Sequence, residues 1–171
     1  MSKKKYMKSL IFIVFILIPI ISIAQKRITI KDPEIEFSLE IPKRWQKHDN
    51  GYYYYLIPPS PYNDEHLSIT YVESDTTNLS YMFEFTINDF YRLNEANYKL
   101  LDNGNDTVGL TLAKWAIFES KVNSIEYKSL LYFFKQNGQI FKLRGTARKE
   151  NYDKYEKRYI SIIKSIESKK I

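Results

Sequence analysis

The residues of this chain best suited to chemistry gather in one stretch, "HDNGYYYYLIPPSPYNDEH". It runs from His48 to His66, contains both histidines of the sequence and includes four consecutive tyrosines. His48 beside Asp49 has the makings of a general base with its orienting carboxylate, and Asp64-Glu65-His66 offers the donor types of a metal site. A metal centre needs three or four converging ligands, however, and nucleophilic catalysis needs a placed hydroxyl and oxyanion donors. Neither set is complete at this spacing. Both histidines stand in polar turn sequence, so the expectation for them is a solvated loop. Gly104 and Gly109 open no helical pattern that could cradle a phosphate, and no zincin or hydrolase signature occurs. The absence of cysteine excludes a disulfide, a thiol nucleophile and a thiolate metal site. No catalytic residue, metal or cofactor is assigned.

The tyrosines allow a second kind of chemistry. A phenol ring offers a flat apolar face and a hydroxyl at low entropic cost, which suits the wall of a sugar or peptide site. Tyr53, Tyr55, Tyr62 and Tyr71 are the candidates for such a wall. The competing explanation is that aromatic rings favour strands and the covered faces of sheets. At a period of two, Tyr52, Tyr54 and Leu56 face one way and Tyr53, Tyr55 and Ile57 the other, so four adjacent tyrosines cannot form one platform.

The flanking elements decide what such residues could reach. In "IEFSLEI", Ile35, Phe37, Leu39 and Ile41 alternate with polar residues as in a half-buried strand, which Pro42 ends. Residues 43–51 then turn the chain, with Trp45 as an apolar anchor and Asn50-Gly51 as a turn dipeptide. Strands are expected at "YYYYLI" and "HLSITYVES". After the capping candidates Thr77 and Asn78 the period becomes helical, with Leu79, Met82, Phe83, Ile87, Phe90 and Tyr91 on one greasy side. "YKLLDNGNDTV", with a turn at its Asn-Gly, and "AKWAIFESKV" read as strands. The last helix carries Tyr152, Tyr155, Tyr159, Ile162, Ile163 and Ile166 on one stripe.

The clearest hairpin surrounds Asn137-Gly138, the dipeptide of a two-residue type I′ turn. Its register places Phe134 opposite Phe141, Tyr132 opposite Leu143 and Leu130 opposite Gly145 on a core side. On the other side Phe133 faces Lys142, Leu131 faces Arg144 and Tyr127 faces Arg148. That mixed aromatic and basic face, comprising Phe133, Lys142, Arg144, Arg148 and Tyr127, is the candidate partner-binding surface. Guanidinium groups stack on rings and fork onto carboxylates, so an acidic partner is the expectation.

Charge is informative only once the first segment is set aside. "MSKKKYMK" is a basic n-region, residues 10–23 form an apolar run containing Pro19, and Ser22-Ile23-Ala24 offers the small residues of a signal-peptidase site before Gln25. The run is shorter than the roughly 18 to 20 residues that span a bilayer, which favours cleavage over an uncleaved anchor. No cysteine follows for lipidation. Removing the leader's four lysines from the chain's 26 basic and 20 acidic residues leaves a net charge of +2. High pI therefore reports export, and nucleic-acid binding is not expected. The charge is uneven, at −6 over residues 25–113 and +8 over 114–171. The remaining 147 residues suffice for one domain with its own core.

The order of elements, with "FSLEIPKRW" and its Pro42 and Trp45, then "LSITYV", a mid-chain helix, a long meander and a final "YISIIKSI" helix, resembles the PsbP-like superfamily and its bacterial DcrB-type members over about 37–166. The resemblance implies an α+β fold, an antiparallel sheet flanked by helices on its faces. It also implies non-enzymatic roles: photosystem accessory subunits, envelope proteins, or Eag-type chaperones of secretion effectors. The leader points away from the last, which are cytosolic. Three functions stay open at this point. The first is a periplasmic or secreted binding or accessory protein whose partner is a protein or envelope component. The others are an immunity protein that blocks a toxin and a small hydrolase using His48 or His66.

Overall fold

The computed structural model describes residues 25–32, 35–62, 64–73 and 78–169. The leader expected over 1–24 and the capping candidate Thr77 lie outside these residues. Among the described residues, ten strands and two helical elements, the second entered through a 3-10 turn (Lys149–Asn151), form an α+β sandwich. A seven-stranded antiparallel sheet has the order β3 (Gln46–Asp49), β4 (Tyr54–Ile57), β5 (His66–Glu73), β9 (Gln139–Arg148), β8 (Ile125–Gln136), β7 (Thr111–Val122), β6 (Lys99–Val108), and a second, three-stranded sheet packs with it. The small sheet comprises β1 (Gln25–Lys31), β2 (Glu36–Pro42) and β10 (Glu167–Lys169); of these, only β2 is evident from alternation. β1 and β10 are polar along most of their length and become strands by pairing with the two edges of β2.

The small sheet and the last helix, α3 (Tyr152–Lys164), together cover one face of the large sheet. Phe37 of β2 meets the rings of Tyr54, Tyr71 and Phe141 edge-on, at centroid distances of 5.9, 6.4 and 5.5 Å. Trp45 is buried, as its anchoring role requires, and packs against Tyr155 and Tyr159 of α3. The whole apolar stripe of α3 is buried. Tyr159 lies flat over Gly145, where an added Cβ would come within 2.5 Å of its ring, and its hydroxyl donates to the Thr146 carbonyl at 2.7 Å.

The second helical element covers part of the opposite face. It runs from α1 (Leu79–Phe85) through a π-helical turn (Thr86–Phe90) into α2 (Tyr91–Asn94). Asn78 caps it, its Oδ1 accepting from the backbone amides of Ser80 and Tyr81. Phe83, Ile87 and Tyr91 pack on Phe118, Leu131, Phe133 and Ile140 as a second core. Phe90, expected on the buried stripe, is instead exposed. The π turn is wider than an α turn, so a spacing of four keeps the face and a spacing of three leaves it.

Strands β8 (Ile125–Gln136) and β9 (Gln139–Arg148) form the expected hairpin, with Asn137 and Gly138 at φ 50 and 80 and every anticipated cross-strand pair in place. Three local expectations are corrected. Asn103-Gly104 makes no turn: β6 (Lys99–Val108) runs straight through it to pair with β7 (Thr111–Val122), and the chain turns at Gly109-Leu110. Gly104 is there because the Trp115 ring crosses it, 3.1 Å from where a Cβ would be; glycine within a strand often marks such a close approach. Residues 43–51 are not turn alone, since β3 (Gln46–Asp49) pairs with β4. Only Tyr54–Ile57 of "YYYYLI" forms that strand β4; Asn50 Oδ1 accepts from the amides of Tyr52 and Tyr53 and holds both in the turn.

Candidate binding site

The α1–α2 helix is too short to cover its whole sheet face. Beyond it the face opens into a cavity of about 640 Å³, bounded by β4, β5 (His66–Glu73), β9 and the end of the helix. A volume of this order suits a small ligand or an inserted segment. Strand alternation sends Tyr55 and Ile57 to the cavity, where Tyr53 joins them from the turn, while Tyr54 and Leu56 enter the core beneath. The Tyr53 and Tyr55 rings lie 5.9 Å apart at 37°, and His66 meets Tyr55 edge-on at 5.3 Å. These rings form one wall; Phe90 and Tyr91 form part of the opposite one.

The candidate basic residues fare differently from one another. Arg144 is committed within the protein: its guanidinium donates to both Glu95 carboxylate oxygens at 2.6 and 3.3 Å and lies over the rings of Phe118 and Tyr91. Arg148 donates from Nε to Asp64 Oδ2 at 3.1 Å and stacks 3.8 Å above Tyr62. The Tyr127 hydroxyl donates to the same Asp64 oxygen at 2.6 Å. Burial alone would raise the Asp64 carboxyl, but these two hydrogen bonds outweigh it and hold the group below the usual aspartate range. Burial, reinforced by the bond to Asp64, pushes the Tyr127 phenol up to about 12.

Lys142 has no such partner. Among the described residues no carboxylate forms an ion pair with it, and its ammonium lies 5.1 Å over Tyr91 and 5.6 Å over Phe90. It is half-buried; that burial, with the nearby Arg144 charge, depresses its pKa below the ordinary lysine value against the opposing pull of Glu95. A second hollow of about 520 Å³ shares Tyr53, Thr70 and Lys142 with the first.

Five residues were expected on one accessible face. Lys142, Arg144 and Tyr127 line the cavity. Arg148 sits at the Asp64 end. Phe133 is withdrawn from it: Phe83 packs edge-on against its ring at 5.9 Å and leaves it 1% exposed. A strand reading cannot tell which part of a face a helix will cover. The expectation of two solvated loop histidines holds only in part. His48 is exposed on β3, whereas His66 is a half-buried strand residue lining the cavity. Its Nδ1 donates to the Asp64 carbonyl at 3.1 Å, which leaves Nε2 as an acceptor. Burial keeps the imidazole below its ordinary pKa, assisted by the Arg144 charge and opposed by the Asp64 contact.

Asp64, Glu65 and His66 do not converge. Asp64 binds Arg148 and Tyr127, while Glu65 is buried on the other side and accepts from Asn151 at 3.0 Å. Among the described residues no group of three or more such side chains is placed to hold a metal ion. Nor is any described hydroxyl hydrogen-bonded to His66: Ser68 and Thr70 donate instead to the Arg144 and Lys142 carbonyls. Glu95, Ser68 and Thr70 were not anticipated as site residues. The Glu95–Arg144 pair spans 49 positions, beyond any local pattern.

No family model and no curated protein matches the chain by sequence. Solved structures do match in shape. Cyanobacterial PsbP (CyanoP) from Synechocystis superposes with a TM-score of 0.64 at 13% identity, covering 86% of this chain and 94% of its own. The chain has the PsbP-like fold. LpqN of Mycobacterium tuberculosis, described as involved in cell envelope biogenesis, shares that fold at a TM-score of 0.63 and 12% identity, with 84% and 91% covered. The Ran-binding protein Mog1p of Saccharomyces cerevisiae follows at 0.55 and 10%, with 85% and 96% covered. The architecture implied by "FSLEIPKRW" and the element order is therefore the observed one.

Proposed function

We propose that this chain is an exported, non-enzymatic binding or accessory protein of the cell envelope, and that it engages its partner in the cavity between the α1–α2 helix and β4. The carrying observation is Lys142. A half-buried ammonium beside Arg144, with no carboxylate ion-paired to it among the described residues, is unfavourable for the protein alone, and perturbed charges in clefts are a signature of functional sites. The cavity around it has aromatic walls, as binding pockets commonly do. Arg144 and Arg148 are neutralised internally, so they shape the site while Lys142 attracts the partner.

The basic n-region, apolar run and Ser22-Ile23-Ala24 support export. The fold shared with LpqN and Mog1p is consistent with a binding role, since one is described by envelope biogenesis and the other by Ran binding. The hydrolase reading is disfavoured because the hydroxyls neighbouring His66, those of Ser68 and Thr70, donate to strand carbonyls and offer it no nucleophile.

The test is capture from the envelope fraction of an exporting host, comparing the wild type with Lys142→Gln and His48→Ala. The expected result is a partner lost with the first and kept with the second, from a mature chain whose intact mass begins at Gln25. A toxin as that partner selects the immunity role. Equal capture by both variants, or hydrolytic turnover abolished by His66→Ala, overturns the proposal.

A further inference from the structure

The polarity of the cavity floor is one-sided. Thr70, Ser68 and His66 occupy alternate positions on β5 and all line the cavity. Thr70 Oγ1 donates to the Lys142 carbonyl and Ser68 Oγ to the Arg144 carbonyl, each at 3.3 Å. His66 donates from Nδ1 to the Asp64 carbonyl. All three have committed a hydrogen to the protein backbone, so what they present to a ligand is lone pairs. Along β5 the floor is thus a row of acceptors, flanked by the Arg144 guanidinium that Glu95 holds, with the Lys142 ammonium at one end and tyrosine faces along one side.

Strand geometry sets the length of this row. Thr70 pairs with Lys142 and His66 with Thr146, four residues along, which corresponds to roughly 14 Å. The complement of such a floor is an elongated molecule that donates many hydrogen bonds, has flat apolar patches to lie on Tyr53 and Tyr55, and carries a negative charge near one end. A hydroxyl-rich sugar bearing a carboxylate has this character. An extended peptide does not fit as well, because peptides in extended form are recognised through backbone groups at a sheet edge. This cavity lies on a sheet face and presents side chains.

We infer that the cavity binds an acidic oligosaccharide of about two to three units, with its carboxylate on Lys142 and its hydroxyls donating to Thr70, Ser68 and His66. This deepens the binding role proposed above and rests on it.

Three probes separate the contributions, titrated by calorimetry and by protein NMR: digalacturonate, the uncharged galactobiose, and adipate, which has carboxylates but no hydroxyls. Digalacturonate is expected to bind the wild type at least tenfold tighter than either control and to shift resonances of Tyr53, Tyr55 and Thr70. Raising the salt concentration weakens it. In Lys142→Gln, folded as judged by circular dichroism, the preference over galactobiose falls to within about twofold. In Thr70→Val the affinity for both sugars falls while adipate is unaffected. Equal binding of the acidic and neutral sugars overturns the inference, as do adipate matching digalacturonate, shifts confined outside the cavity, or no binding of either sugar. If no sugar binds but Lys142→Gln still loses the envelope partner, the ligand class is wrong and the binding role stands; if neither effect occurs, both fall.

Discussion

Gly145→Ala places one methyl group where the structure has no room for it. The added Cβ would lie 2.5 Å from Cγ and Cδ2 of Tyr159 and 3.0 Å from Cε2. Carbon atoms pack at about 3.5 to 4.0 Å, so the ring must retreat by at least about 1 Å. It has nowhere to go. Trp45 meets it edge-on at 6.0 Å, Tyr155 stacks on it at 6.0 Å, and its hydroxyl is tied to the carbonyl of the residue next to Gly145. The helix α3 must therefore lift from β9, or the Tyr159 hydrogen bond must break. Overpacking of this kind costs about 1 to 3 kcal/mol and the lost hydrogen bond about 1 kcal/mol more. A total near 2 to 4 kcal/mol lowers Tm by roughly 4 to 16 °C in a domain of this size. Urea denaturation followed by tryptophan fluorescence measures it, because Trp45 lies in the same cluster. The double-mutant cycle with Tyr159→Ala is the stricter assay: with the ring removed, Gly145→Ala should cost under about 0.5 kcal/mol. A single-mutant loss below that value, or strict additivity in the cycle, refutes the claim that Tyr159 packs directly on Gly145.

Phe83→Ala should cost about 3 to 5 kcal/mol by urea denaturation, because the ring is 1% exposed and packs on Phe133; a loss under about 1 kcal/mol contradicts that packing. Asp64 and Asp106 both titrate below the usual aspartate range, each because hydrogen bonds outweigh burial: Asp64 accepts from Tyr127 and Arg148, Asp106 from Lys164 and Tyr132. A depressed folded-state value means their stabilisation is complete above the unfolded value of about 3.9 and is lost as pH falls through the lower folded values; Asp64→Asn and Asp106→Asn should flatten that acid limb of Tm against pH. His66 is also depressed, by burial, so its contribution is complete above the unfolded value of about 6.5 and fades as pH falls below it; His66→Gln should remove that slope while His48→Gln leaves it. Lys142→Met should raise Tm at pH 7 while weakening partner capture, since it removes a half-buried charge with which no carboxylate among the described residues forms an ion pair.

Local pattern was sufficient wherever an element carries its own instructions. Asn137-Gly138 adopts left-handed φ values that suit a type I′ turn, and once that turn is set the period of two determines every pair from Gln136–Gln139 to Tyr127–Arg148. The stripe of α3 and the anchor Trp45 were legible for the same reason, because each buries an apolar surface that nothing polar could replace. Tertiary structure decided the rest. Asn103-Gly104 has the composition of a turn, but pairing with β7 and the Trp115 ring over Gly104 keep it extended. β10 lacks an apolar period and β1 has only Ile28 and Ile30 to bury; both become strands by pairing with the two edges of β2. The site belongs to this second class. Sequence alternation put Phe133, Lys142, Arg144, Arg148 and Tyr127 on one side of a hairpin, but it could not say where α1–α2 would end. The end of that helix determines that Phe133 is sealed beneath it, that Glu95 reaches Arg144, and that Lys142 has no ion-pair partner among the described residues where it lies near Tyr53 and Tyr55. Those contacts join residues tens of positions apart, and no pattern read along the chain contains that distance.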